Sequence, residues 1–225
     1  MPNWCFTNIE FRGNDAGAFW EKMEELSKKG FDITKEKADF GPTWLGYYLI
    51  GAGIPENNVR HNTGLATGLS CRGSITEIPI ISSQLVEIQT ETAWSEMIEM
   101  WNYLIDKYGY DVSVHYFAEE CGNAYYSASD KSMTDGAEYY IDSSICINDL
   151  SGKPANIRKI AEEFAESDMY SNDAIKDALT NIYGAIPIPL EQLIARLNDD
   201  IEDDDDIYIS INKISFDDDS DVCAA

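Results

Sequence analysis

Alternating and helical apolar patterns divide the chain into recognisable elements. Residues 4–12, WCFTNIEFR, read as a strand through Phe6, Thr7, Ile9 and Phe11. Asn14 and Asp15 then offer a cap, Phe19, Trp20, Met23 and Leu26 recur at helical spacing, and Lys28, Lys29 and Gly30 read as the helix end. From about 40 to 80 the pattern blurs into a Gly-rich stretch with Arg60, His61 and Arg72 as its bases. It reads as a short strand or helix around Tyr47 to Ile50 followed by a long, partly irregular insertion.

Order returns at QLVEIQTETAW, where Leu85 or Val86, then Ile88 and Thr90, alternate with Glu87, Gln89 and Glu91 as in a half-buried strand. The clearest helical period follows: Trp94, Met97, Ile98, Trp101, Leu104, Ile105 and Tyr108 share one face. YDVSVHYFAEE and NAYYSAS form a predicted hairpin, and AEYYIDSSICI one more strand. After Asp149 the pattern is helical. Pro154 precedes Ile157, Ile160, Ala161 and Phe164; Ser171 with Asp173 caps a helix carrying Ile175, Ala178, Leu179, Ile182 and Tyr183 and stopped by Gly184; Pro189 opens Leu190, Leu193, Ile194 and Leu197. Three short amphipathic helices bury little alone, so they are expected to pack on the α/β part or to cover one of its edges.

The pattern therefore predicts an α+β protein. Residues 1–150 form an antiparallel sheet with helices on one face, as in the split βαβ arrangement, with the insertion at 40–80. Residues 151–225 form a helical extension ending in an acidic terminal strand. With 44% apolar and 12% aromatic residues in 225, a real core is expected. No apolar run approaches the roughly 18 residues that span a bilayer, and MPNWCFTNIEFRG lacks the features of a signal peptide, so a cytoplasmic protein is expected. Cysteines 5, 71, 121, 146 and 223 are odd in number and widely spaced, which favours free thiols, with Cys5 and Cys146 as small core residues.

Charge changes the picture most. The chain carries 16 basic and 41 acidic side chains, net −25. Residues 151–225 hold 6 and 18 of these, about twice the charge density of the rest. Between 199 and 221, eleven acids face Lys213 alone, on either side of IYISINKISF. Such a surface repels nucleic acid and anionic lipid and attracts basic proteins or cations. An extended chain advances about 3.3 Å per residue and one strand of duplex DNA carries a charge per roughly 3.4 Å, so an acidic ladder approaches the charge density of nucleic acid. Ile207, Ile209 and Ile211, then Ile214 and Phe216, are apolar, and the phase change predicts a bulge in a docked terminal strand. The strand would anchor acids displayed at both ends, with Asp203, Asp204, Asp205, Asp206, Asp217, Asp218 and Asp219 as partner contacts. The competing reading is that the acids only keep a β-prone segment soluble.

The opening MPNWCFTNIEFRG, together with TETAWSEMIEMWNYLIDKYGYDVSVHYFAEECGNAYYSAS, resembles the YubB-like proteins of phages and plasmids. The matching positions are Pro2, Asn3, Trp4, Cys5, Asn8, Thr92, Ala93, Trp94, Tyr116, Glu119 and Glu120, over roughly 70 residues. Ser95 and Glu96 stand where that family's pattern has prolines, and nothing after residue 150 has a counterpart in it. The resemblance implies a ferredoxin-like domain and a phage or mobile-element origin; it brings no catalytic residues.

Catalytic chemistry finds little support. His61 and His115 are the only histidines, and G-x-S-x-G and H-E-x-x-H are absent. His115 reads as a satisfied or surface side chain. Glu119 and Glu120 are adjacent, so in a strand they face opposite ways and cannot pair as acid and base. Gly51 to Gly53 lacks a dinucleotide fingerprint. Asp217, Asp219 and Asp221 alternate like the start of a calcium loop without its glycine or final glutamate. Trp4, Trp94 and Trp101 read as core. No cofactor, metal or catalytic residue is expected. The reading is a non-enzymatic interaction protein binding a basic, nucleic-acid-handling host protein, as a mimic or inhibitor, without touching nucleic acid or membrane itself. The alternatives are a structural or assembly protein that is acidic for solubility, or an enzyme holding an anion with Arg60, His61 or Arg72.

Overall fold

The computed structural model describes residues 3–34, 41–61, 69–120, 122, 124–145, 150, 152–165 and 168–217, except 202–205. Two compact units divide the chain at Asp130/Lys131.

In the first unit, β1 (Trp4–Arg12) leads into α1 (Ala16–Ile33), then α2 (Gly46–Gly51), α3 (Glu56–His61), β2 (Gly73–Ile81), β3 (Leu85–Ala93), α4 (Ile98–Tyr108), β4 (Ser113–Glu120) and β5 (Tyr125–Ala128). The strands lie in the order β2-β3-β1-β4-β5, and each neighbouring pair is antiparallel. Thus β1 and β2, and likewise β3 and β4, run parallel with one antiparallel strand between them. Strict alternation sets the faces: Cys5, Thr7, Ile9 and Phe11 are buried while Phe6 and Asn8 are exposed. Phe11 stacks near Phe19, Trp20 and Trp101, with centroids 5.1, 6.0 and 5.3 Å away, so strand and helices share one aromatic core.

Four local expectations need correction. α1 runs past Gly30 to Ile33, because Gly30 lies against the Tyr47 carbonyl of α2 and serves close packing, not termination. Asp15 precedes α1, but its carboxylate accepts the Asp111 amide at 3.0 Å and caps no helical N–H. α4 starts at Ile98, four residues after Trp94, since Trp94 N–H donates to Asn3 O at 3.0 Å and Trp94 and Met97 take φ of +77° and +60°. β2, inside the expected irregular insertion, is an edge strand; Pro79 and two register shifts hide its period. The helix around Tyr47 to Ile50 is present as α2.

The second unit contains β6 (Tyr139–Ile145), α5 (Ala155–Glu163), β7 (Asp168–Tyr170), α6 (Asn172–Tyr183), α7 (Leu190–Ile201), β8 (Ile207–Lys213) and the two-residue β9 (Ser215–Phe216). β6 lies between β7 and β8. Hence the boundary falls at 130/131, not near 150, and the helices have a sheet of their own. Ile141, Ile160, Phe164, Ile175, Leu179 and Leu197 are fully buried in a core shared with Ile207 and Ile209. Ser171 Oγ accepts the Ala174 amide at 3.2 Å, and Gly184 ends α6 at φ +83°.

The architecture is α+β with antiparallel sheets, as the patterning predicts. Among the described residues, no helix is long and apolar enough to cross a membrane.

Candidate functional site

The outward face of the first sheet is built in rungs. Glu91, Phe6 and Glu119 lie side by side; the next rungs are Gln89, Asn8 and Phe117, then Glu87, Glu10 and His115. Glu10 is held by Arg12 at 2.6 Å. Phe6 remains 49% exposed and Trp4 36% exposed at the end of the same strand. A recess of about 300 Å³ opens among Phe6, Asn8, Thr76, Gln89, Phe117 and Glu119. Four carboxylates around an exposed aromatic centre disfavour a phosphate backbone and favour cationic side chains, which aromatic faces and carboxylates both attract.

Trp101 is core at 0% exposure, as expected, but Trp4 and Trp94 are surface residues, Trp94 being 52% exposed. The left-handed turn at Trp94 removes it from the α4 stripe on which the core assignment rested. Several of the positions that carry the family resemblance meet here. Cys5 lies opposite Thr92, and Trp4 opposite Ala93. The Thr92 hydroxyl donates to Ser95 O at 2.5 Å, bracing the turn. Tyr125 OH donates to Glu96 at 3.1 Å. Burial pushes the Cys5 thiol up to about 11, a hydrogen bond to Thr7 opposing the shift.

Glu119 and Glu120 do face opposite ways. Glu119 joins the outward face, whereas Glu120 is 1% exposed on the helix side and its Oε2 has no hydrogen-bond partner among the described residues. Sequence alone gave no signal for a buried glutamate at this strand end.

His115 has partners that its sequence context hides. Its Nδ1 lies 2.6 Å from Asp130 Oδ2 and its Nε2 2.9 Å from Ser113 Oγ. Asp130 also accepts from Ser129 Oγ at 2.9 Å, while Ser113 Oγ sits 3.0 Å from Arg12 O. Ser113 Oγ thus bridges the His115 ring and Arg12 O, and the chain of bonds ties β4 to the residues that follow β5.

Of the proposed partner contacts, Asp203, Asp204, Asp205, Asp218 and Asp219 lie outside the described residues. Asp206 precedes β8 and pairs with Lys153 at 3.0 Å, and Asp217 follows β9. β8 runs antiparallel to β6 in unbroken register from Ile207–Ile145 to Lys213–Tyr139 and forms the sheet edge. The apolar phase changes through a break between two strands and not through the expected bulge in one: β8 ends at Lys213 with its register unbroken, Ile214 donates to Glu138 O at 2.9 Å, and β9 restarts at Ser215.

Arg60, His61 and Arg72 come together. α3 brings the first two and the segment before β2 the third, around a cavity of about 450 Å³. Among the described residues, no group of three or more His, Cys, Asp or Glu side chains is placed to hold a metal ion; Asp219 and Asp221 lie outside them.

No family model, curated protein or solved structure matches this chain.

Proposed function

We propose that this chain is a non-enzymatic interaction protein of a phage or other mobile element, acting in the cytoplasm, whose acidic surface binds a basic, nucleic-acid-handling host protein. The observation that carries the reading is the tethering of acid to folded structure: β8, docked along its whole length on β6, is preceded by Asp206, and Asp217 follows β9 closely. Residues 131–225 carry 22 acidic and 7 basic side chains, net −15. Charge held on a scaffold loses less entropy on binding than charge on a free tail. The contact charges are Asp203, Asp204, Asp205, Asp206, Asp217, Asp218 and Asp219.

The first unit supports the same chemistry. Its strand order β2-β3-β1-β4 and the alternation of its strands with α1 and α4 support a ferredoxin-like reading with β5 added at one edge, and the outward face of its sheet carries Glu10, Glu87, Glu91 and Glu119. We assign the unit to that fold on topology and on the residues shared with the YubB-like family.

The test is capture from bacterial lysate at low and moderate salt, comparing the wild type with a variant in which the seven aspartates become asparagine. A charge-driven complex is retained by the wild type at low salt, lost at moderate salt and absent with the variant. Equal capture by both proteins, or none by either, overturns the proposal and favours acids that serve solubility.

A further inference from the structure

The cavity among Val59, Arg60, His61, Ser70, Cys71 and Arg72 is a cationic site in a strongly acidic chain. Arg60 is oriented from two sides: its Nε donates to Glu56 Oε1 at 2.8 Å, and its guanidinium lies 5.5 Å from the Trp44 ring centroid. Trp44 is itself fixed by donating to Cys71 O at 3.0 Å, which links both walls of the cavity. One guanidinium nitrogen, Arg60 Nη2, is buried and has no hydrogen-bond partner among the described residues. A buried, unpaired charged donor is costly, and an arriving acceptor removes that cost.

Cations in the last turn of α3 satisfy a helix C-terminus. That explains Arg60 and His61 but not Arg72 and Ser70, which reach the same cavity from a different segment. Two guanidinium groups, an imidazole and a hydroxyl offer more donors than a carboxylate uses, and guanidinium forks match phosphate oxygens. The volume lies in the range of small-molecule sites. Cys71 supplies no nucleophile: it is 3% exposed, and burial pushes its thiol up to about 12.

We propose that this cavity binds a small oxyanion of the phosphate class through Arg60, His61, Ser70 and Arg72. The site is independent of the acidic surface and needs no reaction.

The test uses inorganic phosphate as probe, with sulfate, acetate and sodium chloride at matched ionic strength. Binding is followed by thermal shift and by the Nε–H NMR signals of the arginine side chains. Arg72→Gln is the informative variant, because Arg72 is exposed and its loss leaves the Arg60, Glu56 and Trp44 packing intact. The expected result is a saturable shift of the Arg60 and Arg72 signals with phosphate, weakened about tenfold or more in R72Q as befits one charge-assisted hydrogen bond, with the variant's own melting unchanged. A response to acetate at equal strength reassigns the site to carboxylates and overturns the phosphate class. Equal thermal shifts in wild type and R72Q without saturable NMR changes identify a general salt effect and overturn the site.

Discussion

Replacing Gly30 by alanine separates two effects of opposite sign. Gly30 lies within α1, where an exposed Gly→Ala change stabilises by about 1 kcal/mol. Here the new Cβ would sit 1.9 Å from the Tyr47 carbonyl oxygen and 2.7 Å from its carbon. Ordinary contact begins at 3.4 Å, and the obstacle is backbone that no rotamer change can move. α1 and α2 must therefore separate by about 1.5 Å, loosening Leu26, Leu49 and Ile50, which are all buried. Overpacking costs about 1–3 kcal/mol, and an immovable backbone obstacle this close belongs at the upper end of that range, so G30A is expected to be destabilising by about 2 kcal/mol after the propensity gain. Gly51 meets Leu26 O at 2.0 Å across the same interface. Once one methyl has pushed the helices apart the second finds more room, so G30A/G51A costs less than the sum of the single changes. All five tryptophans lie in the first unit, so their fluorescence during urea unfolding reports that unit alone. A G30A midpoint at or above wild type, with unchanged slope, refutes the close approach of α1 and α2.

Three further outcomes are expected. Ser171→Ala removes the α6 cap seen at 3.2 Å and costs about 1 kcal/mol, measured as a lower midpoint in the far-UV circular dichroism transition of the second unit. Burial raises Cys5 to about 11 and Cys71 to about 12, so the folded state holds protons that the unfolded state releases. This contribution is full below pH 8 and is lost as pH rises from about 9 towards 11; urea midpoints should be flat from pH 7 to 8 and fall above 9, and a flat profile to pH 11 contradicts the burial. Pro79 interrupts the edge strand β2, where Ile78, Ile80 and Ile81 are 40–58% exposed. Pro79→Val restores a strand donor and should raise concentration-dependent association in size-exclusion chromatography; an unchanged elution volume at all concentrations counts against an open edge.

Elements whose periodicity coincided with burial were legible in the sequence. β1, β3 and α5 to α7 show it, because one face of each meets a core and the other is more open to water; the β4–β5 hairpin was legible from its strand-forming residues and the turn between them, although both of its faces are partly buried. Departures arose where tertiary contact overrides local preference. Gly30 reads as a helix stop and is a packing surface; Trp94 fits the α4 stripe and is turned out by a left-handed backbone; Pro79 hides an edge strand. The placement of β6 in the second unit depends on pairing with β8, more than sixty residues later, which no local pattern encodes. The same holds for the sites. Acid flanking a strand is visible in sequence, whereas the His115–Asp130 contact, the unpartnered Glu120 oxygen and the shared cavity of Arg60 and Arg72 are products of folding.

The central claim is that scaffolded acid competes with nucleic acid for a basic partner. Its most direct test is to load the captured partner on immobilised protein and add increasing duplex DNA. The account predicts that DNA releases the partner, that added salt does so as well, and that the protein with asparagine at positions 203–206 and 217–219 holds none to release. A partner that stays bound through excess DNA, or one held equally by the asparagine variant, contradicts it.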